Sequence, residues 1–156
     1  MVNNRGFTAI ELILVIVILG ILAAIVYPKF QALPAIRTGA AAQTIAADIR
    51  YAESLAVSTR FNYVIYFYAG SDSYSVYKRD RSTGAETILA HPFKAGNYTV
   101  AINTEYPGVG IDNDYTVEFD SLGTPVRGGG SSVTVSSSGN TKTISVQANT
   151  GRVTIN

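Results

Sequence analysis

The feature that most constrains this chain is an apolar run at residues 7–27, FTAIELILVIVILGILAAIVY. Within it, the positions that are not hydrophobic are Thr8, Glu11 and Gly20. A helix of this length spans roughly 30 Å, which is the thickness of the hydrocarbon core of a bilayer. The run therefore predicts one membrane-crossing helix. The alternative is a cleaved secretory signal peptide, whose apolar region is usually shorter, at about 7–15 residues.

The rest of the chain has the composition of a soluble domain. The protein has 156 residues, of which 47% are hydrophobic, and a formal net charge of +1. Because the apolar residues concentrate near the N-terminus, residues 28–156 are no more apolar than an ordinary globular domain. A charge near zero gives no bulk attraction to nucleic acid or acidic lipid. The absence of Cys and the presence of one His, His91, exclude disulfides, thiolate sites and multi-His metal sites, so we predict no metal and no cofactor.

Glu11 is an unusual residue to find inside such a run, because it is the one charge between Arg5 and Lys29. A carboxylate in a lipid-exposed helix costs roughly 2–3 kcal/mol on insertion scales, and less near the interface. Glu11 lies about 6 Å along the helix from Phe7, so its position is shallow. A charge kept at this cost indicates a positively charged partner.

The residues around Glu11 resemble the N-terminus of a type IV prepilin or pseudopilin. The pattern is a short leader with the basic residue Arg5, then Gly6, then Phe7, and Glu11 at the fifth position after Gly6. The resemblance implies that a prepilin peptidase in the inner membrane cuts between Gly6 and Phe7. It also implies that the peptidase methylates the new amino group of Phe7.

The same resemblance divides the chain into three parts and orients it. These are a leader at 1–6, a transmembrane and filament-core helix at 7–27, and a soluble helix-plus-sheet domain at 28–156. Arg5 keeps the N-terminus in the cytoplasm under the positive-inside rule, so the soluble domain lies outside the cytoplasm. The chain is expected to enter a periplasmic or surface filament from the inner membrane.

In that filament, the resemblance implies that the Glu11 carboxylate meets the N-terminal ammonium of Phe7 on a neighbouring subunit. This pairing neutralises two buried groups and fixes the axial register between helices. Gly20 and Pro28 fall where pilin helices loosen and kink. A plain kink at the membrane exit explains Pro28 equally well.

Residues 35–58 return to a helical pattern, with apolar or small residues at steps of mostly three and four. This stripe comprises Ile36, Ala40, Ile45, Ile49, Ala52 and Ala56. Pro34, just before it, is a second candidate kink. Residues 7–58 are therefore predicted to form one long, kinked helix, with its membrane half first and its domain half second.

After Phe61 the chain predicts short strands separated by turns. The segments rich in Val, Ile, Tyr and Thr are 63–68, 74–79, 98–102, 115–119, 132–136, 142–147 and 152–155. Glycines 128–130 are expected to form a flexible loop between strands of one domain. The predicted fold class is α+β and pilin-like, with a long N-terminal helix packed on an antiparallel domain of one or two sheets.

Three blocks of the soluble domain, 49–60, 119–125 and 144–153, are similar to the GspH/FimT group of minor pseudopilins and minor pilins. The resemblance implies a structural subunit, either a minor pilin or a type II secretion pseudopilin. Its partners would be the prepilin peptidase, other pilin subunits and the inner membrane. A major pilin of a long filament is the alternative.

Arg152 suggests a different function. In some members of the FimT-like branch, a C-terminal Gly-Arg-x-Arg motif is associated with DNA binding during natural transformation. Here residues 151–154 read GRVT, so the second Arg is replaced by Thr. Losing one of a few cations weakens phosphate binding directly. In a DNA-binding minor pilin, Arg127 and Lys142 are the candidates to join Arg152 on one surface.

The remaining polar motifs favour structural roles. His91 precedes Pro92 and is typical of a turn or a strand end. The acidic sequence 112–114, DND, lacks the further ligands and terminal Glu of a calcium loop, so it predicts an Asx-type turn. Because no set of titratable groups converges, the chain is predicted not to be an enzyme.

Overall fold

The computed structural model describes residues 7–31 and 33–156, with side chains for 7–23 and 33–156. The leader at 1–6 lies outside the described residues. The chain divides into two compact units, Met1–Leu33 and Pro34–Asn156, which are described separately.

The first unit contains α1, Ala9–Gln31, in the place of the predicted N-terminal helix. Its described side chains are apolar on all sides except at Glu11, and every one from Phe7 to Ala23 is exposed. Within the described residues, no helix combines the length and the apolarity needed to cross a membrane.

The second helix, α2, runs from Leu33 to Thr59. Pro34 stands in its first turn, where a missing backbone N–H costs least. Residue 32, between α1 and α2, lies outside the described residues. Arg60, the residue after α2, stops the helix with a left-handed φ of 61°. Its backbone N–H still donates to the carbonyl of Ala56 at 3.1 Å.

The buried face of α2 corrects part of the predicted stripe. Ile36 is 64% exposed and does not belong to that face. The buried residues of α2 are Thr38, Ala41, Ala42, Ile45, Ala46, Ile49, Ala52 and Ala56. Small side chains dominate this face, so the helix backbone can lie close to the sheets.

Short antiparallel strands form the larger of two sheets. They are β1 Asn62–Tyr68, β2 Ser73–Arg79, β3 Glu86–Ile88, β4 Thr99–Ala101, β6 Tyr115–Phe119 and β7 Pro125–Arg127. Their order is β3-β2-β1-β6-β7, and β4 also pairs with β2. A 3₁₀ turn at Ala69–Ser71 joins β1 to β2.

The smaller sheet is built from the C-terminal part of the chain with one earlier strand. Its strands are β5 Gly110–Ile111, β8 Ser132–Ser137, β9 Asn140–Val146 and β10 Val153–Ile155. The order is β10-β9-β8-β5, again antiparallel. A short helix, α3, Ile102–Glu105, leads from β4 towards β5.

The predicted α+β class, a long helix with an antiparallel domain of one or two sheets, is confirmed with two sheets, and every predicted strand is present within one or two residues. The strand predicted at 98–102 is Thr99–Ala101, because Ile102 begins α3. Strands β3, β5 and β7 were not predicted, because they begin with Glu86, Gly110 and Pro125, residue types that are depleted in strands.

One buried cluster joins α2 to both sheets. The larger sheet contributes alternate residues of β1, Tyr63, Ile65 and Phe67, and the smaller sheet contributes residues such as Val133 and Ile144. Because successive side chains of a strand point to opposite faces, each sheet has one face in this core and one face outside it. The second unit therefore carries its own hydrophobic core.

Each outer strand of the smaller sheet has a backbone group bound by a side chain from elsewhere. At one edge, Arg50 of α2 donates from Nη2 to the carbonyl of Val153 in β10, at 3.0 Å. At the other edge, the backbone N–H of Ile111 in β5 donates to Oδ1 of Asp72, at 2.8 Å. Both edges of the sheet are thereby tied to the rest of the unit.

Glycines 128–130 do not form the open, flexible loop that the sequence suggested. Gly128 has a φ of +75°, and a Cβ atom there would lie 2.1 Å from the carbonyl oxygen of Thr116. A Cβ atom on Gly129 would lie 3.0 Å from Cα of Ala148. The carbonyl of Gly128 also accepts a hydrogen bond from the Tyr115 hydroxyl at 2.7 Å. Because these glycines have no Cβ atom, the segment that crosses between the two sheets lies directly against the backbone of Thr116 and Ala148.

Candidate functional site

The N-terminus of α1 is closed by a capping box made of Thr8 and Glu11. The backbone N–H and the hydroxyl of Thr8 each donate to Oε2 of Glu11 at 3.2 Å. In return, the backbone N–H of Glu11 donates to Oγ1 of Thr8 at 3.3 Å. This reciprocal arrangement satisfies backbone donors that the first helical turn leaves free. The signal for it, Thr followed three residues later by Glu, was present in the sequence but was not read as a cap.

The capping box also fixes where the helix begins relative to the predicted cleavage site. Phe7 and Thr8 precede the first helical residue, Ala9, and Phe7 is 83% exposed. Gly6 lies outside the described residues. The backbone that follows the peptide bond between Gly6 and Phe7 is therefore not helical.

Gly20 and Pro28, the two predicted points of loosening, both fall inside α1. A Cβ atom on Gly20 would meet nothing within 4 Å, so this glycine is not required by packing in the described part of the unit. The kink assigned to these positions stays a prediction.

The three blocks that resemble the GspH/FimT group meet at one place in the second unit. Glu53 comes from the α2 block, Gly123 from the turn after β6, and Gly151 from the turn before β10. A Cβ atom on Gly151, whose φ is +67°, would lie 2.8 Å from the Gly123 carbonyl oxygen and 3.1 Å from Oε1 of Glu53. On Gly123, with a φ of +78°, it would lie 3.2 Å from Val57 Cγ2. Both glycines allow the two turns to close against α2.

Partial burial at this junction raises the pKa of the Glu53 carboxyl above its ordinary value, and the nearby guanidinium of Arg50 opposes that rise. Arg50 is the same residue that binds the carbonyl of Val153. Glu53, Arg50, Gly123 and Gly151 thus form a junction at which the two turns pack against α2. Its contacts are internal, which is the pattern of a structural feature rather than a catalytic one.

Arg152 lies on the outer face of the smaller sheet. Its side chain is exposed, and its backbone carbonyl accepts from the N–H of Gln147 at 3.0 Å. It borders an open groove of about 440 Å³ that is also lined by Ser145, Gln147 and Thr154. Arg152 is the one charged group among the residues that line this groove.

The other two basic candidates do not join Arg152. Lys142 shares the strand face of Ile144, which is buried, whereas Arg152 shares the opposite face with Thr154. Arg127 belongs to strand β7 of the larger sheet. Its backbone stands opposite that of Glu118 in the neighbouring strand β6. Sequence reasoning could not see this separation, because it depends on which sheet each strand enters. DNA binding by Arg152 stays a prediction.

A half-buried carboxylate forms the most polar part of the interior. Asp48 of α2 accepts a hydrogen bond from the hydroxyl of Tyr74, and the hydroxyl of Tyr98 lies close to the same carboxylate. Burial raises the pKa of Asp48, although both hydroxyls act to lower it. Nearby, Thr44 and Tyr106 share a hydrogen bond of 2.6 Å between their hydroxyls. We call Asp48, Tyr74 and Tyr98 the Asp48 cluster; its role is to hold β2 and the segment before β4 against α2.

The acidic sequence at 112–114 uses its side chains inside the domain. Oδ1 of Asp112 accepts from the Ser136 hydroxyl at 2.6 Å, and Oδ1 of Asp114 accepts from the backbone N–H of Ala69 at 2.7 Å. Asn113 binds the backbone of Thr134 at 2.9 Å. Among the described residues, no group of three or more His, Asp or Glu side chains is placed to hold a metal ion.

Comparison with known protein families finds one match, at the N-terminus. Residues 1–27 match the prokaryotic N-terminal methylation motif. No curated protein matches the chain by sequence. The match covers the leader, the capping box and most of α1, which are the parts on which the prepilin resemblance rests.

Comparison with solved structures finds the same fold in two kinds of filament protein. The minor pseudopilin EpsH of the Vibrio cholerae type 2 secretion system matches with a TM-score of 0.58 and 8% identity, over 77% of this chain and 96% of that one. The type IV minor pilin FimU of Pseudomonas aeruginosa matches with a TM-score of 0.50 and 18% identity, over 76% of this chain and 91% of that one. The chain therefore has the fold of minor pilins and minor pseudopilins and carries a prepilin-type N-terminus.

Proposed function

We propose that this chain is a minor pilin or a type II secretion pseudopilin, a structural subunit of a filament assembled from the inner membrane. One observation carries the proposal: a methylation motif at residues 1–27 stands directly before a pilin-fold unit. Such subunits work through assembly, and they need no catalytic site. Proteins with this motif carry a leader that a peptidase removes, and they assemble with other pilin subunits.

The proposed maturation begins at the bond between Gly6 and Phe7. The peptidase cuts there on the cytoplasmic side and methylates the amino group of Phe7. The non-helical backbone at Phe7 and Thr8 supports access by the peptidase, because a protease needs an extended substrate segment. The mature chain then stays in the inner membrane through the helix at 7–27, with its C-terminal domain outside the cytoplasm.

In the proposed filament, Glu11 changes partner. In the single chain its carboxylate is engaged by Thr8 at 3.2 Å, so the charge is already partly satisfied before assembly. The ammonium of Phe7 on a neighbouring subunit supplies a full opposite charge, which a carboxylate in a low-dielectric surrounding favours over neutral donors. Glu11 therefore sets the register between helices, while Gly20 and Pro28 give the helix local freedom to adjust.

The first test is processing. Gly6→Val adds a branched side chain at the cut, so we expect a longer, uncleaved chain whose Phe7 is not methylated, as read by intact-mass spectrometry. Gly20→Val is the matched control, because it makes the same change within the apolar run and leaves the leader intact. Normal cleavage of the Gly6 variant would remove the peptidase from the proposal.

The second test separates processing from assembly. Glu11→Ala is expected to be cleaved and methylated but to be depleted from sheared filaments. Glu86→Ala, a carboxylate removed from an exposed position in β3 of the second unit, controls for a general loss of charge. The abundance of the wild-type chain in the same preparation also decides between a minor and a major subunit. Unimpaired assembly of the Glu11 variant would show that another residue sets the register.

A further inference from the structure

A shallow groove runs along one face of α1, close to its N-terminus. Its volume is about 250 Å³, and four apolar side chains and one carboxylate line it: Ile10, Glu11, Ile13, Leu14 and Val17. The four apolar residues stand at positions i, i+3, i+4 and i+7, so they share one face of the helix. Sites for drug-sized ligands are larger, at roughly 300–1,000 Å³, so this groove suits a single side chain. We call it the α1 groove.

Glu11 is the one charged residue that lines the α1 groove. Both hydrogen bonds that its side chain accepts from Thr8 end on the same oxygen, Oε2. Among the described residues, no donor binds its other oxygen, Oε1. Because each carboxylate oxygen has acceptor capacity of its own, a cationic donor can reach Oε1 before the bonds from Thr8 are broken. The groove therefore presents an anionic acceptor beside an apolar surface.

Apolar surface alone does not select an occupant in the membrane that the proposed function assigns to α1. Lipid tails are as apolar as these side chains, and helices in lipid associate through close packing and polar contacts instead. An acyl chain also brings no donor to the Glu11 carboxylate, and a carboxylate without a counter-charge is costly there. The occupant should therefore combine a large apolar group with a positive charge.

The N-terminal residue of the processed chain has both properties. Cleavage after Gly6 leaves Phe7 with an ammonium group directly beside its aromatic side chain, and methylation of an amine keeps the positive charge. Phe7 is 83% exposed and does not line the α1 groove of its own chain. One chain thus carries both halves of a contact on two different surfaces. Such a contact is heterologous, and it can repeat from copy to copy along a filament.

We propose that the α1 groove receives the Phe7 side chain of a second copy of this chain, with the Phe7 ammonium directed at Oε1 of Glu11. The inference rests on the proposed function, because it needs cleavage after Gly6. It goes further by giving the aromatic ring a binding site of its own, so that shape as well as charge sets the register between helices. The contact requires two adjacent copies, not a filament made wholly of this chain.

The test uses the full chain in cells that hold the complete filament system. Two copies with different epitope tags are expressed together, and one of them carries a small diazirine amino acid in place of Leu14. Leu12 is the matched control, because it is a leucine of the same helix that does not line the groove, 61% exposed against 58% for Leu14. We expect illumination to join position 14 to Phe7 of the copy with the other tag, as located by peptide mass spectrometry. Position 12 should give no such adduct.

The inference and the proposed function fail in different ways. Adducts at position 14 only with lipid, only with a different subunit, or only with another segment of a second copy would each overturn the inference, as would the lack of any adduct. Cleavage and methylation at Phe7 and presence in sheared filaments are measured in the same cells. A chain that is cleaved, methylated and assembled without an adduct to Phe7 contradicts the inference alone. A chain that is not cleaved contradicts both.

Substitution of Phe7 in the copy without the diazirine separates the ring from the charge. Phe7→Ala keeps the N-terminal ammonium and removes the ring, so the yield of adduct per cleaved chain should fall about fivefold or more. Phe7→Leu keeps a large apolar side chain, so the yield should fall by about twofold or less. Equal yields from Phe7→Ala and the wild type would show that the groove does not hold the ring, which contradicts the inference.

Discussion

The helices α1 and α2 follow each other in the chain but differ in how their apolar side chains are distributed and buried. The described side chains of α1 are apolar on almost every side and exposed from Phe7 to Ala23. Those of α2 are mostly small, and one face of them is buried in the core. A helix that buries one face has its partner within its own domain, whereas a helix that is apolar all round requires an apolar surrounding outside it. α2 therefore contributes to the core of the second unit, whereas the proposed assembly role falls to α1.

The largest expected effect tests whether stability is confined to the second unit. Gly128→Ala places a Cβ atom 2.1 Å from the Thr116 carbonyl oxygen at a φ of +75°, so the backbones of the crossing must separate. We expect a loss of about 3 kcal/mol or more in the free energy of unfolding. Urea unfolding of the full chain in detergent, followed by tyrosine fluorescence, measures it.

Gly20→Ala in α1 is the counterpart of that change. A Cβ atom there meets nothing within 4 Å, and Ala favours helix over Gly by about 1 kcal/mol. The midpoint for the second unit should not move. A shift like that of Gly128→Ala would show that the two regions are coupled and would break the comparison.

The next effect compares one isoleucine from each helix. Ile45 of α2 is fully buried, and Ile45→Ala removes core atoms and leaves a cavity, at a cost of about 3 kcal/mol. Ile13 of α1 is 53% exposed, and Ile13→Ala should leave the unfolding midpoint of the second unit unchanged. The same urea titration serves both variants. The Ile13 variant should instead be depleted from filaments.

A smaller effect concerns the polar contact of α2. Asp48→Ala leaves the buried Tyr74 hydroxyl without its acceptor, at a cost of about 2 kcal/mol. Asp48→Asn keeps an acceptor and should cost less than half of that. The comparison of Ala with Asn separates the hydrogen bond from the charge.

The same residue predicts a dependence on pH. Because burial raises the folded-state pKa of Asp48 above 3.8, the folded chain binds that proton more tightly than the unfolded chain. The associated stability is complete below 3.8 and is lost as pH rises through the folded pKa. Asp48→Asn should reduce the slope in a series of urea titrations, while the Glu53 carboxyl, whose pKa is also raised by burial, keeps its own share of it. An unchanged slope would assign it to another group.

The smallest effect lies at the start of α1. Thr8→Ala removes one side of the capping box and should cost about 1 kcal/mol of local helix stability, seen as faster amide exchange in the first turn. Thr8→Ser keeps the hydroxyl and should exchange like the wild type. The unfolding midpoint of the second unit should not change in either variant.

Patterns that repeat were predictable from the sequence, and contacts between distant segments were not. Val133 and Ile144 stand in alternating strands that are visible by eye, and both are buried. Ile36 fits a helical spacing but is exposed. The sequence did not reveal this, because the many Ala residues of α2 are compatible with several different buried faces. The sequence around Gly128 gives no sign that the carbonyl of Thr116 lies against it. The separation of Arg152 from Arg127 follows from sheet membership, which local spacing does not encode.

The side chains that bind the outer strands of the smaller sheet affect how the chain behaves when it is crowded. An open strand edge is a template for foreign strands, and repeated addition leads to amyloid-like aggregation. Arg50 occupies the carbonyl of Val153 at one edge, and Asp72 occupies the N–H of Ile111 at the other. One backbone group on each edge of the smaller sheet is therefore already engaged, which disfavours irreversible β-polymerisation through that sheet. In the proposed filament, association would then rest on helices and loops.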